Sequence, residues 1–92
     1  HWGMSMDVET KAEVIKEYAL RGGDTGSSDV QVAVLTHRIK ELTEHMKANK
    51  KDNHTRRGLQ LLVQRRKKHL KYLSRTQHDR YRELIQKLGL RR

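Results

Sequence analysis

Apolar residues recur at intervals of three and four along nearly the whole chain, and no segment alternates with period two. That spacing predicts helices throughout. The first carries Val8, Ala12, Ile15 and Ala19, flanked by Tyr18, with Asp7 able to cap it and Gly22-Gly23 to stop it. The stretch RGGDTGSS is the one clear loop. Ser28, with Gln31 three residues on, has capping-box spacing and starts a second helix. Its stripe is Val32, Leu35, Ile39, Leu42 and Met46, and it frays near Ala48-Asn49. Asp52 or Asn53 can cap a third helix that runs to about Arg75 on Leu59, Leu62, Val63, Leu70 and Leu73. Gly58 costs about 1 kcal/mol inside it relative to alanine. It marks either a close approach to the backbone or a benign glycine near a first turn. Thr76 with Asp79 is a further capping-box pair, opening a fourth helix with Tyr81, Leu84, Ile85 and Leu88 inward. Gly89 in the left-handed conformation, with Leu90 folding back, is the expected stop.

Short connections make neighbouring helices antiparallel. The fold class is therefore all-α: four helices, with a long antiparallel hairpin and a short C-terminal helix packed on it. The N-terminal helix, with the shallowest stripe and a flexible loop beside it, is expected to be mobile. A chain of 92 residues makes one domain, assigned to residues 4–92. It buries roughly 60–65% of its unfolded surface, so the core is modest. His1-Trp2-Gly3 reads as a preparative remnant before a natural start at Met4. Without cysteine there is neither a disulfide framework nor a thiolate metal site, and a reducing compartment is the default. No apolar run approaches the roughly 18 residues that span a bilayer, and no secretory signal is visible.

Charge changes the picture most. The chain carries +10 overall. Residues 1–44 hold 5 Lys/Arg and 8 Asp/Glu, a net of −3; residues 45–92 hold 16 and 3, a net of +13. From Asn53 to His78 there is no acid. This is the footprint of a polyanion partner on one half of the molecule. Nucleic acid comes first and an anionic membrane surface second; a disordered basic tail is opposed by the apolar periodicity. No catalytic signature accompanies the charge. DTGSSD is similar to a phosphate loop but lacks the preceding strand and following lysine. An Asp-Thr-Gly triplet around Asp24 would need a second such carboxylate and a larger β-rich chain to act as an aspartic protease. His45, Asp52 and His54 could suit zinc, but three lysines nearby repel cations and no fourth ligand stands out. The chain is read as no enzyme, with no metal and no cofactor.

The turn HMKANKKDNHTRRG sets one carboxylate, Asp52, among cations. An A-form duplex shows ribose hydroxyls and base edges in its shallow minor groove, where the guanine amine is the one base donor. Lysine and arginine only donate, so they cannot accept from that amine; Asp52 can. Lys50, Lys51, Arg56 and Arg57 offset its repulsion of phosphates, and His45 and Thr55 can bond ribose hydroxyls. Capping the third helix explains Asp52 equally well, and both tasks are compatible. Further on, RRKKHLKYLSR places Arg65, Lys68, Tyr72 and Arg75 on one helical face. Tyr72 amid cations can stack on an unpaired base or a ribose. The competing reading is a core tyrosine, but Leu70 and Leu73 already supply the core line. Lys67 and Lys71 look outward on a neighbouring face, where solvation alone would explain them. A DNA-binding helical module is the runner-up to an RNA binder.

The stretches DTGSSDVQVAVLTHRI, HMKANKKDNHTRRGLQLLVQRRKKHLKYL and RYRELIQKLGLRR together resemble the bacterial-type small-subunit ribosomal protein family numbered fifteen. The resemblance spans Met4 to Arg92. It implies a structural constituent of the ribosome, cytoplasmic, that is a primary binder of small-subunit ribosomal RNA. It implies that Thr25, Gly26 and Gln31, with Tyr72 and Arg75, hold a three-way RNA junction. His45, Asp52 and Thr55 would read a G·U/G·C step in an adjoining minor groove. The family usually has serine at Thr55; the hydroxyl is retained and a methyl is added beside the ribose. Further implied partners are large-subunit ribosomal RNA at an intersubunit bridge and other platform proteins of the small subunit. The protein would nucleate platform assembly, touch no membrane and be a monomer when free.

Overall fold

The structure, a computed structural model, describes residues 8–19 and 27–90. Four helices occupy these segments: α1 Val8–Tyr18, α2 Ser28–Ala48, α3 Asn53–Thr76 and α4 His78–Leu88, with no strand among the described residues. The all-α expectation holds. The expectations placed on residues 1–3, Met4, Asp7, Gly22-Gly23, Asp24, Thr25 and Gly26 lie outside the described residues.

α2 and α3 pair as an antiparallel hairpin along the predicted leucine lines. Leu35, Ile39 and Leu42 of α2 meet Leu62 of α3, with Leu59 and Val63 at the margin. At the open end Val32, Leu73 and Leu84 form a second cluster, ringed by Tyr18, Leu70, Tyr81, Leu88 and Leu90. This cluster joins the hairpin to α4 and to the end of α1. α2 touches all three other helices, which explains why Val30 and Ala33, off the predicted stripe, are buried too. Met46 and Ile15 are half-buried and Ala12 is exposed, so the α1 stripe is as shallow as its sequence suggests.

Helix ends show where local rules fail. The capping-box reading of Ser28 is one residue late. Ser27, extended at φ −66° and ψ 156°, is the cap, and its hydroxyl accepts from the Val30 amide at 3.3 Å. Ser28 is already helical, because the Ser27 carbonyl accepts the first helical bond from the Gln31 amide at 2.9 Å. Thr76 does not cap α4 either. α3 continues through it, and its hydroxyl donates back to the Tyr72 carbonyl at 2.9 Å. Gln77 alone turns the chain: its amide donates to Leu73 and its carbonyl accepts from Tyr81, and α4 starts with no side-chain cap. Gly89 behaves as expected. At φ 68° it is left-handed, and the Leu90 amide reaches back to Ile85 at 3.0 Å, which returns Leu90 to the core.

Two polar contacts hold the short helices. Arg80 of α4 pairs with Asp29, a buried carboxylate in the first turn of α2. Lys87 of α4 places its ammonium 4.3 Å from the Tyr18 ring centroid and donates to the Glu17 carbonyl at 3.3 Å. A cation at the C-terminal end of α1 complements that helix's dipole. Burial and the neighbouring Glu17 push the Tyr18 hydroxyl above its ordinary pKa.

Leu42 is 0% exposed and Leu61 57%. Leu42→Ala is expected to cost about 2–5 kcal/mol, and Leu61→Ala no more than about 0.5 kcal/mol. Urea denaturation checks both, and equal losses would contradict the packing.

Candidate nucleic-acid interface

The hairpin tip is a network built around Asp52. The α2 helix ends where the Asn49 amide turns back to Met46, and the Asp52 amide then bonds the Asn49 carbonyl at 3.0 Å. The Asp52 side chain caps α3: Oδ1 accepts from the Thr55 amide at 3.0 Å. Its second oxygen, Oδ2, accepts from the Thr55 hydroxyl at 2.6 Å and lies 2.9 Å from His45 Nε2. The capping role weighed in the sequence is therefore real. On the other side of the imidazole, the Asn49 amide nitrogen stands 3.4 Å from Nδ1 and donates to the His45 carbonyl at 2.9 Å. Nε2 thus faces the Asp52 carboxylate as a donor, and Nδ1 faces the Asn49 amide. Arg56 closes the turn by donating to the Lys50 carbonyl and to Asn53 Oδ1.

These donors fix the charge state of Asp52. The Thr55 hydroxyl first, then the Thr55 amide, then His45 hold its carboxyl well below the usual carboxylate range. The side chain is 32% exposed. A carboxylate offers about four acceptor positions, and the three donors leave one. Thr55 itself is only 6% exposed, and its hydroxyl proton is committed to Asp52. Lys50, Lys51, His54, Arg56 and Arg57 are exposed around the tip. Among the described residues no three His, Cys, Asp or Glu side chains cluster as a metal site.

At the open end of the hairpin stands the second set. Tyr72 is 59% exposed, so it is not the core tyrosine of the alternative reading. Arg65, Lys68 and Arg75 are exposed with it on the same face of α3. Val32 and Leu73 pack together, which brings their chain neighbours Gln31 and Tyr72 to one end. Gln31 is half-buried. The two sets are distinct: about twenty helical residues separate Asp52 from Tyr72, roughly 30 Å at 1.5 Å each.

Sequence reasoning grouped His45 with Asp52 as a possible zinc site and as joint groove readers, and missed the direct bond between them. The seven-residue interval across a tight turn was the available signal. It also missed Asn49, and Arg66, whose Nη1 donates to the buried Thr36 hydroxyl at 3.3 Å across the hairpin. Nothing in the local pattern signals a contact between residues thirty apart.

An all-α domain with a rigid basic hairpin, polar at the tip and aromatic at the base, defines a helical nucleic-acid-binding class. A family model described as ribosomal protein S15 matches residues 11–91. Curated relatives named small ribosomal subunit protein uS15 include those of Pseudarthrobacter chlorophenolicus and Paenarthrobacter aurescens, each 61% identical over 89 residues. That of Neisseria meningitidis serogroup C is 56% identical. Each alignment covers 97% of this chain and 100% of the relative. The chain belongs to the ribosomal protein S15 family, and as such is a structural, non-enzymatic constituent of the ribosome. No described helix is long and apolar enough to cross a membrane.

Because Asp52 has a lowered pKa in the folded state, its contribution to stability is complete above the unfolded value of about 3.9. It is lost as pH falls through the lower native value. In an NMR titration the Asp52 carboxyl is expected to protonate below its ordinary range, and Thr55→Val to bring the midpoint back up. An ordinary midpoint in the unsubstituted protein would contradict the network.

Proposed function

We propose that the chain is a primary binder of small-subunit ribosomal RNA that grips it at two points of one hairpin. The tip reads a G·U/G·C step in a minor groove; the base holds a three-way junction of RNA helices. One observation carries this reading: Asp52, ionised and with one acceptor position left, stands half-buried in a turn whose other charged groups can only donate. A guanine amine in a shallow A-form groove is the donor that such an acceptor suits. His45 and Thr55 serve mainly to aim the carboxylate, since both donate to it. Lys50, Lys51, Arg56 and Arg57 bind flanking phosphates and supply affinity without sequence information. At the base Tyr72 stacks on an unpaired nucleotide while Arg65, Lys68 and Arg75 hold its backbone. Thr25, Gly26 and Gln31 complete the junction contact, as the family resemblance implies.

Fixed spacing between the two points selects RNA whose helices adopt one relative orientation. Binding then stabilises that orientation by differential affinity. On this reading the protein nucleates platform assembly by presenting ordered RNA to later platform proteins, joins as a monomer, and contributes to a bridge with large-subunit ribosomal RNA.

Asp52→Asn keeps an acceptor for the Thr55 amide while removing the charge. It is expected to weaken binding to a junction fragment carrying the G·U/G·C step by about 1–3 kcal/mol and to leave random A-form duplex unaffected. Equal losses on both RNAs would remove the specificity role. Tyr72→Ala is expected to cost about 1–3 kcal/mol on the junction fragment. Filter binding measures each, and competition with B-form DNA of the same sequence separates RNA from DNA recognition.

A further inference from the structure

Leu70, Tyr81 and Leu90 pack from one side against the cluster that joins α4 to the hairpin. They are half-buried, and their outer sides floor a groove of about 510 Å³ between α3, α4 and the returning C-terminus. Arg66, Lys67 and Lys71 rim it, and no carboxylate of the described residues lines it. The α4 acids Asp79 and Glu83 line a different hollow with Arg82. Among the described residues no ion pair engages Lys67 or Lys71. At roughly 100° per residue, Lys67 stands about 200° around α3 from Arg65, and Ser74 the same from Tyr72, so the groove opens away from the Tyr72 face.

Exposed lysines are usually just solvated. Here three cations share one concavity over an apolar floor, which focuses their field. Arg66 is held in place, since its Nη1 donates to the Thr36 hydroxyl at 3.3 Å across the hairpin, and burial lowers its pKa from the ordinary value. An anchored guanidinium keeps donors free for a carboxylate at little cost in side-chain entropy. The floor decides the class of occupant. A phosphodiester backbone would neutralise the rim but leave Leu70, Tyr81 and Leu90 facing charged, hydrated oxygens. A peptide satisfies both parts at once: an apolar side chain takes the floor out of water, and carboxylates beside it reach the rim. The volume lies within the roughly 300–1,000 Å³ of small-ligand sites. From Arg66 to Ser74 the groove follows roughly 12 Å of α3 at 1.5 Å per residue, the length of about four extended residues.

We propose that this groove docks a short segment of a partner protein in which a large apolar side chain is flanked by carboxylates. The groove and the Tyr72 face lie on opposite sides of α3, so the two can be occupied together. Docking here stands whether or not the junction reading under Proposed function does.

The probe is a peptide with blocked ends, Glu-Glu-Leu-Glu-Glu, titrated into the isotope-labelled full chain and followed by amide NMR shifts. Salt is held at about 0.15 M, where charges more than about 8 Å apart are largely screened. The shifts are expected to centre on Leu70, Lys71, Ser74 and Leu90. Serine in place of the peptide's leucine should weaken binding by about tenfold. Lys67→Glu/Lys71→Glu should weaken it by about tenfold or more, and the circular-dichroism melt should not fall, since both lysines are exposed. Lys68→Glu/Arg75→Glu makes the same change of charge on the opposite face and should leave the peptide's affinity within about twofold, as that screening allows. No shifts at the groove, equal losses in the two double variants, or equal affinity for the serine peptide would overturn the proposal. Tighter binding at the same amides by pentauridylate, whose phosphodiesters carry the same charge as the peptide, would overturn it in favour of nucleic acid. Shifts of these amides that depend on the protein's own concentration would overturn it in favour of a second copy, whose residues 1–44 carry a net −3.

Discussion

The seam of Leu35, Ile39 and Leu42 against Leu62 fixes the geometry on which every other feature depends. It clamps two helices of 21 and 24 residues side by side. α3 spans the distance between two sets of side chains: its N-terminus carries the Asp52 network and its C-terminal half the Tyr72 face. Because a packed helix does not stretch, the tip and base cannot adjust independently to RNA. On the proposed two-point reading the adaptation comes from the nucleic acid, which is how a stiff hairpin would select an RNA geometry. A hairpin with a loose seam would bind phosphates as well, but it would not measure anything.

At the tip, the carboxylate proposed to read RNA is also the one that caps α3. Asp52 satisfies an orphan amide at the start of α3, as caps do, and the same bonds orient its remaining acceptor position. Removing it therefore disturbs the helix start as well as any base contact, and only a substitution that preserves the cap separates the two. Thr55, which the family resemblance sets against a usual serine, takes its place in this light. Its side chain is buried and its hydroxyl is turned onto Asp52, so the extra methyl belongs to the packing of the turn. The hydroxyl is what the network requires, and both residue types supply it.

Much of the architecture was legible because it is written in local periodicity. The α2 and α3 leucine lines, the cap at Asp52 and the left-handed Gly89 each follow from residue chemistry within one or two turns. Ser27 and Thr76 show where that logic stops. Each lies beside another residue able to cap or continue a helix, and tertiary packing chose between them. The long-range pairs, Arg80 with Asp29 and Arg66 with Thr36, left no trace in any window of sequence. For the candidate interface, the residue types were readable: a lone acid among cations, a tyrosine off the core line. Their partners were not, because His45 meets Asp52 only once the turn between α2 and α3 has closed.

The distribution of acids completes the argument. Asp29 is spent on Arg80, Asp52 on Thr55 and His45, and Glu44 on Lys47. Asp29 and Asp52 hold helix starts, Glu44 lies in an exposed pair on α2, and none of the three is set against the cations of α3 between Asn53 and Thr76. A protein selected only for stability would interleave opposite charges along so long a helix, since pairs four residues apart are mutually supporting. This chain instead places no acid between Asn53 and His78, so the repulsion among the α3 cations stays in place. The free protein bears that cost, and a polyanion removes it on binding by replacing mutual repulsion with phosphate contacts and released counterions. The charge pattern is thus a stability deficit that its RNA partner makes good, which ties the modest core of the domain to its place inside a ribonucleoprotein.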